Sequence, residues 1–149
     1  MQLQESAEKW RSIFESSFPD LENYSSIYKN LHQHTELPGQ ESRTAATVAA
    51  HLTALGFDVQ TKIGRHGLVG ITRNGIGKTI MLRSELDALP LQEKTGLPYA
   101  SQVQQIDADG STQNGSCMAA DTTCSWQVLL LAAADLPAKT SDTTLVKNF

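Results

Sequence analysis

Histidine and cysteine are scarce in this chain, and both are unevenly placed. The four histidines are His32, His34, His51 and His66, with none beyond His66. The two cysteines, Cys117 and Cys124, lie close together, and no secretory leader precedes them. A structural disulfide is therefore not expected. The N-terminal stretch MQLQESAEKW is polar and has no apolar signal core. Long hydrophobic runs are also missing. The longest, Val128 to Ala134, is far too short to cross a bilayer, so no membrane partner is expected. No basic run stands out among 12 Lys and Arg residues against 16 Asp and Glu, a net charge of −4. That excludes nucleic acid as an expected partner. The reading is a cytoplasmic protein.

What is present suffices for one folded domain. The chain has 149 residues, of which 40% are apolar and 19% charged. Glu5 to Ser17 reads as a short amphipathic helix carrying Trp10, Ile13 and Phe14, and Pro19 interrupts it. Asp20 is placed to cap a second helix, in which Leu21, Tyr24, Ile27, Tyr28 and Leu31 recur at helical steps. Pro38 and Gly39 break that pattern. A third helix is expected from about Glu41 to Leu55, with Ala45, Val48, Ala49, Leu52 and Leu55 as its stripe and Gly56 as its stop. The period then changes. Phe57 to Ile63 alternates in part, Gly64 to Gly67 is turn-like, and Leu68, Val69 and Ile71 suggest a second strand. Asn74-Gly75-Ile76-Gly77 is a hairpin signal leading into a third strand. Leu91 to Asp109 reads as loop with an extended piece near Tyr99, and Asp109 to Gly115 as turn. Trp126 to Leu136 reads as a buried helix ended by Pro137, and Thr143 to Val146 as a last strand. The order predicts an α/β fold, helices packed on a mixed β-sheet.

The third strand carries the most chemistry. Ile80, Met81 and Leu82 form an apolar run, as in a buried strand. Arg83, Glu85 and Asp87 follow at alternate positions and share one face of an extended chain. Carboxylates at the end of such a strand suit a site in an open α/β sheet. From spacing alone, a sheet edge where Arg83 neutralises two acids is the favoured reading. Cys117, Asp121 and Cys124 are spaced as one side of a metal site, or as two small thiols at a helix start. His32 and His34 do not share a helical face and read as polar contacts at a helix C-terminus. Neither His51, on a helical face, nor His66, in a turn, has a partner visible in sequence. The Gly77-Lys78 pair lacks the surrounding pattern of a phosphate loop.

Three stretches together resemble a known family. Leu31-His32-Gln33-His34-Thr35-Glu36-Leu37 is similar to L-H-x-x-P-E-L, with Thr35 in place of the proline. Asp87-Ala88-Leu89-Pro90 follows an apolar strand, and Thr95-Gly96-Leu97-Pro98-Tyr99 comes shortly after. Their order and separation resemble the M20-type metal-dependent amidohydrolases, in the branch that cleaves N-acyl amino acids. The resemblance runs from about Leu21 to Leu136 and implies a single truncated catalytic domain over residues 1–149.

It also implies a hydrolase of the amide bond in N-acyl amino acids, using zinc or manganese. In register with the family, Asp87 stands where an aspartate sits beside the metals. A turn reading H-A-C-G-H-D-x-H supplies family ligands. Here the corresponding stretch is Ser116-Cys117-Met118-Ala119-Ala120-Asp121-Thr122-Thr123, where only Asp121 matches and Cys117 is one residue out of register. Met is a poor zinc ligand, and Ala and Thr supply essentially none. No resident metal is therefore expected in this chain, and no activity from it alone. Self-association, or pairing with a full-length relative as a non-catalytic module, is the expected partnership. A remnant without independent function is the remaining alternative.

Overall fold

The computed structural model describes residues 21–73, 78–106, 109–114 and 143–148. The helices expected at Glu5 to Ser17 and at Trp126 to Leu136 lie outside the described residues, as do Asp20 and the Asn74 to Gly77 turn. The described elements are α1 (Leu21–Gln33), α2 (Ser42–Ala54), β1 (Asp58–Ile63), β2 (Gly67–Thr72), β3 (Lys78–Arg83), β4 (Gln104–Ile106), β5 (Thr112–Asn114) and β6 (Thr143–Asn148).

The helical stripes do what their spacing demands. Tyr24 and Leu31 of α1 are buried, with Ile27 and Tyr28 packed beside them. In α2, Ala45, Val48 and Leu52 join Tyr24, Phe57, Leu68 and Leu86 in one core. The end of α2 is closed by backbone bonds. The Phe57 N–H donates to the Leu52 carbonyl and the Gly56 N–H to the Thr53 carbonyl, both at 3.0 Å. This pairing requires a left-handed residue, and Gly56 supplies it at φ +82°.

The sheet order is β1-β2-β6-β3. The β1–β2 and β2–β6 pairs are antiparallel, and β3–β6 is parallel, with Ile80 opposite Leu145 and Met81 opposite Val146. The helices and this mixed sheet give the α/β class. Helix α2 crosses β2 where Gly70 has no side chain. A Cβ there would lie 3.0 Å from Leu52 Cδ1.

Four local expectations are corrected. β2 and β3 run in opposite directions but are not neighbours, because β6 lies between them. A turn signal fixes a chain reversal, not the absence of a later strand in the gap. β3 is not buried. It ends the sheet among the described strands, and Ile80 and Met81 are 47% and 62% exposed. The extended piece expected near Tyr99 comes later, as β4. Part of the turn expected after Asp109 is strand β5, paired antiparallel with β4. Asp109 still makes the turn, its Oδ1 accepting from the Ser111 N–H at 2.8 Å and from the Ser111 hydroxyl at 2.6 Å.

Candidate functional site

The segment after β3 stays extended and alternates. Ser84, Leu86 and Ala88 are buried, while Glu85 is exposed and Asp87 half-buried. The two acids therefore share the outward face that their spacing implied. Arg83 Nη2 lies 3.5 Å from Glu85 Oε1, with both side chains largely in water. So exposed a pair contributes little.

These residues form one wall of a cleft of about 460 Å³. Glu41 joins Glu85 and Asp87 there, and the β1–β2 turn brings Arg65 and His66 to the same cleft. Burial pushes the Asp87 carboxyl above its ordinary range. Glu85 and Glu41 push it further, against a backbone hydrogen bond that lowers it. The β1–β2 turn is unusual in itself. Lys62 has φ 62°, Gly64 φ 64° and Arg65 φ 121°, and the strand register shifts between Gln60 and Ile63. A non-glycine residue at such φ costs on the order of 1–3 kcal/mol, a strain that clusters at ligand sites. Arg65 Nη1 faces the Gly39 carbonyl at 3.5 Å.

Asp87 is held from behind by the stretch Thr35-Glu36-Leu37. The Ala88 N–H donates to the Glu36 carbonyl at 2.8 Å. The Glu36 carboxylate is itself engaged. Its oxygens accept from the Arg43 N–H at 3.0 Å and the Thr44 N–H at 2.6 Å, so it caps α2, whose first-turn donors have no intrahelical partner. Leu37 is fully buried, and its N–H donates to Gln105 Oε1 at 2.7 Å.

His32 makes the polar contact its place near the end of α1 suggests, but a buried one to a distant segment; it is 1% exposed. Its Nε2 lies 2.9 and 3.0 Å from the two oxygens of Glu93, whose side chain is fully buried. A carboxylate only accepts, so Nε2 carries the proton. Glu93 also accepts from the Thr95 hydroxyl at 2.5 Å and the Ser101 N–H at 2.8 Å. Burial alone would raise the Glu93 carboxyl. These donors, with His32 beside it, outweigh burial and hold it below the usual range. Tyr28 and Tyr99 flank the imidazole at 5.5 and 5.3 Å between ring centres. Thr35 Oγ1 and Ser101 Oγ meet at 2.8 Å. Nothing local in the sequence reveals a partner 61 residues away. His34 behaves as its position suggests, its Nδ1 donating to the Asn30 carbonyl at 2.9 Å near the end of α1.

Cys117, Asp121 and Cys124 lie outside the described residues. Among the described residues, no group of three or more His, Cys, Asp or Glu side chains converges as a metal centre requires. Glu41, Glu85 and Asp87 line the same cleft without forming such a group. The described donors thus do not fit a two-metal centre.

No protein-family model matches the chain. Among curated proteins, it is similar to the hippurate hydrolase of Campylobacter jejuni, 40% identical over 84 residues, or 56% of this chain and 22% of that protein. The N-acetyl-L-cysteine deacetylase of Bacillus subtilis is 39% identical over 81 residues, or 54% of this chain and 20% of that protein. Among solved structures, the Bacillus subtilis YXEP protein, a dinuclear metal-binding peptidase of the M20 family, superposes with a TM-score of 0.64 at 26% identity. That match covers 85% of this chain and 34% of that one. The chain thus resembles part of the M20-type amidohydrolases and peptidases. It spans about a fifth of the length of the curated relatives it matches.

Proposed function

We propose that this chain derives from hydrolases of the amide bond in N-acylated amino acids and does not itself catalyse that reaction. The names of the hippurate hydrolase and N-acetyl-L-cysteine deacetylase support the substrate class. One observation carries the second half. The family's ligand-bearing turn reads Ser116-Cys117-Met118-Ala119-Ala120-Asp121-Thr122-Thr123, and no histidine follows His66. Amide hydrolysis at neutral pH needs an acidified water and a polarised carbonyl, both of which a zinc-type centre supplies. Asp87, with its carboxyl raised, can accept a proton from water but cannot polarise the amide.

The test is to load the purified chain with zinc or manganese, measure bound metal by elemental analysis, and assay hydrolysis of hippurate and N-acetyl amino acids. The expected result is no stoichiometric metal and no metal-dependent turnover. Tight stoichiometric metal accompanied by turnover overturns the proposal. The exposed Ile80 and Met81 favour a second reading, a non-catalytic module that associates through its sheet.

A further inference from the structure

Residues 93–101 form a compact loop drawn closed on one side chain. Glu93 stands at its start with its side chain fully buried. Its carboxylate gathers three donors: the Thr95 hydroxyl inside the loop, the Ser101 N–H at its far end, and Nε2 of His32 on α1. Other bonds of the loop are local. The Leu97 N–H donates to Thr95 Oγ1 at 3.4 Å, and the Ala100 N–H to the Leu97 carbonyl at 3.0 Å. Lys94, Thr95, Leu97 and Pro98 are exposed, so the outer arc buries little. Against α1 the loop sets the Tyr99 ring, 6.1 Å from Tyr28 and 5.3 Å from His32 between centres. A segment with so few buried contacts opens more easily than a core.

The surroundings of Glu93 suit its charged form. Protonation turns charge-assisted bonds into ordinary ones, roughly half as strong. It also adds an O–H that needs an acceptor. The Ser101 N–H cannot accept. The Thr95 hydroxyl can turn to accept, and is then lost as a donor. His32 Nε2 accepts only by moving its proton to Nδ1, and that atom is buried without a hydrogen-bond partner. Of the ionisable groups around Glu93, His32 is the one in contact. Lys29 of α1 stands over the Tyr99 ring at 5.9 Å, Lys94 is exposed, and Glu36, beside Thr35, is bound to α2 N–H groups.

We propose that Glu93 is an acid-operated latch: proton uptake there releases residues 93–101 from α1 as a local unit while α2 and β2 stay folded. Release carries Tyr99 away from Tyr28 and His32 and uncovers the end of α1. The sign follows from linkage. In the closed loop the Glu93 carboxyl is held below its ordinary value of 4.5, and in the open loop it returns toward that value. Below it, opening takes up a proton, so the opening equilibrium rises by up to about tenfold per pH unit. Above it, this group contributes no pH dependence.

The test is hydrogen exchange of the isotopically labelled full chain, read by nuclear magnetic resonance from about pH 5 to about pH 3 and corrected for intrinsic exchange. The Ser101 N–H reads the latch. The Ala88 N–H, bonded to the Glu36 carbonyl, and the Phe57 N–H, bonded to the Leu52 carbonyl, read the frame. Ser101 opening is expected to rise as pH falls below about 4.5, while Ala88 and Phe57 stay protected. Glu93→Gln should open Ser101 at every pH and remove the acid step. If that variant does not fold, Thr95→Ala, at an exposed position, takes its place. It removes one donor, so Ser101 should open more at about pH 5 and show a smaller acid step. Exchange of Ser101 together with Ala88 and Phe57 at every pH, opening of Ser101 without an acid step, or a full acid step kept in either variant overturns the latch.

Discussion

Asp87 and Glu93 are carboxylates shifted in opposite directions, and their pH dependences follow. The Asp87 carboxyl is raised by burial and by Glu85 and Glu41. On unfolding it ionises more readily, so it destabilises the fold once pH exceeds its ordinary value of 3.8. Asp87→Asn is expected to stabilise the chain near neutral pH by on the order of 0.5 kcal/mol, because water screens a half-exposed group. The gain should vanish toward acid pH, as urea unfolding at both pH values would show. A clear loss at neutral pH would mean that donors or a cation at Asp87 outweigh its burial. Glu93 is the reverse case. Its carboxyl is lowered by donors that outweigh burial, so it contributes stability above its ordinary value of 4.5, lost as pH falls through the lower folded value. Glu93→Gln leaves a buried His32 facing an amide and is expected to cost about 3 kcal/mol at neutral pH. That penalty should shrink in acid, and denaturant unfolding against pH reads it directly. Sequence placed Asp87 and Glu85 on one face because strand alternation is a local rule. It could not place Glu93, because a buried polar pair is made by tertiary packing between distant segments.

Helix α2 shows where element-level reading succeeds and stops. Its apolar stripe and its Gly56 end were legible, because period and left-handed backbone are written in neighbouring residues. Its start near Glu41 was legible too, but its capping group was not, since Glu41 makes no side-chain cap and Glu36 supplies the carboxylate from outside the helix. The L-H-x-x-x-E-L stretch is thus a junction. His32 ties to Glu93, Thr35 to Ser101, Glu36 to α2 and Ala88, and Leu37 to the interior. Glu36→Ala should cost about 1–2 kcal/mol by orphaning first-turn N–H groups at the positive end of the helix. The contact between α2 and β2 makes a sharper prediction. Gly70→Ala would set a methyl 3.0 Å from Leu52 Cδ1 and 3.4 Å from Phe57 Cδ1, with both neighbours in the core. Overpacking of this kind costs about 1–3 kcal/mol. Chemical denaturation should show the loss, and Gly70→Ala combined with Leu52→Val should recover part of it. No recovery would place the strain in the backbone rather than at Leu52. The order of strands was the least legible feature. Insertion of β6 between β2 and β3 depends on a parallel pairing that closes over the long stretch from Arg83 to Thr143, which no local turn encodes.

At the scale of the molecule, the two ends of the sheet are unlike. β1, at one end of the described strands, is a protected edge although Ile63 at its tip is 46% exposed. Gln60, Thr61 and Lys62 are exposed and polar, the register shifts beside them, and Lys62 leaves extended geometry at φ 62°. Such features oppose pairing with another chain. β3, the last described strand at the other end, instead shows Ile80 and Met81 to solvent, with only the terminal Lys78 and Arg83 charged. Exposed apolar side chains on an end strand favour association. Charge limits how two copies can meet there. Centred antiparallel pairing of β3 with itself would set Lys78 opposite Arg83, a like-charge contact at each end. Added salt screens exposed charges, with a screening length of about 10 Å at 0.1 M and about 3 Å at 1 M, but leaves apolar burial in place. The chain is therefore expected to self-associate reversibly, more strongly as salt rises. Sedimentation velocity over a concentration series at low and high salt measures this. Met81→Lys should shift the population toward monomer and remove the salt response. A monomer at every concentration and salt, or association that weakens as salt is added, would rule out the β3 surface as the contact.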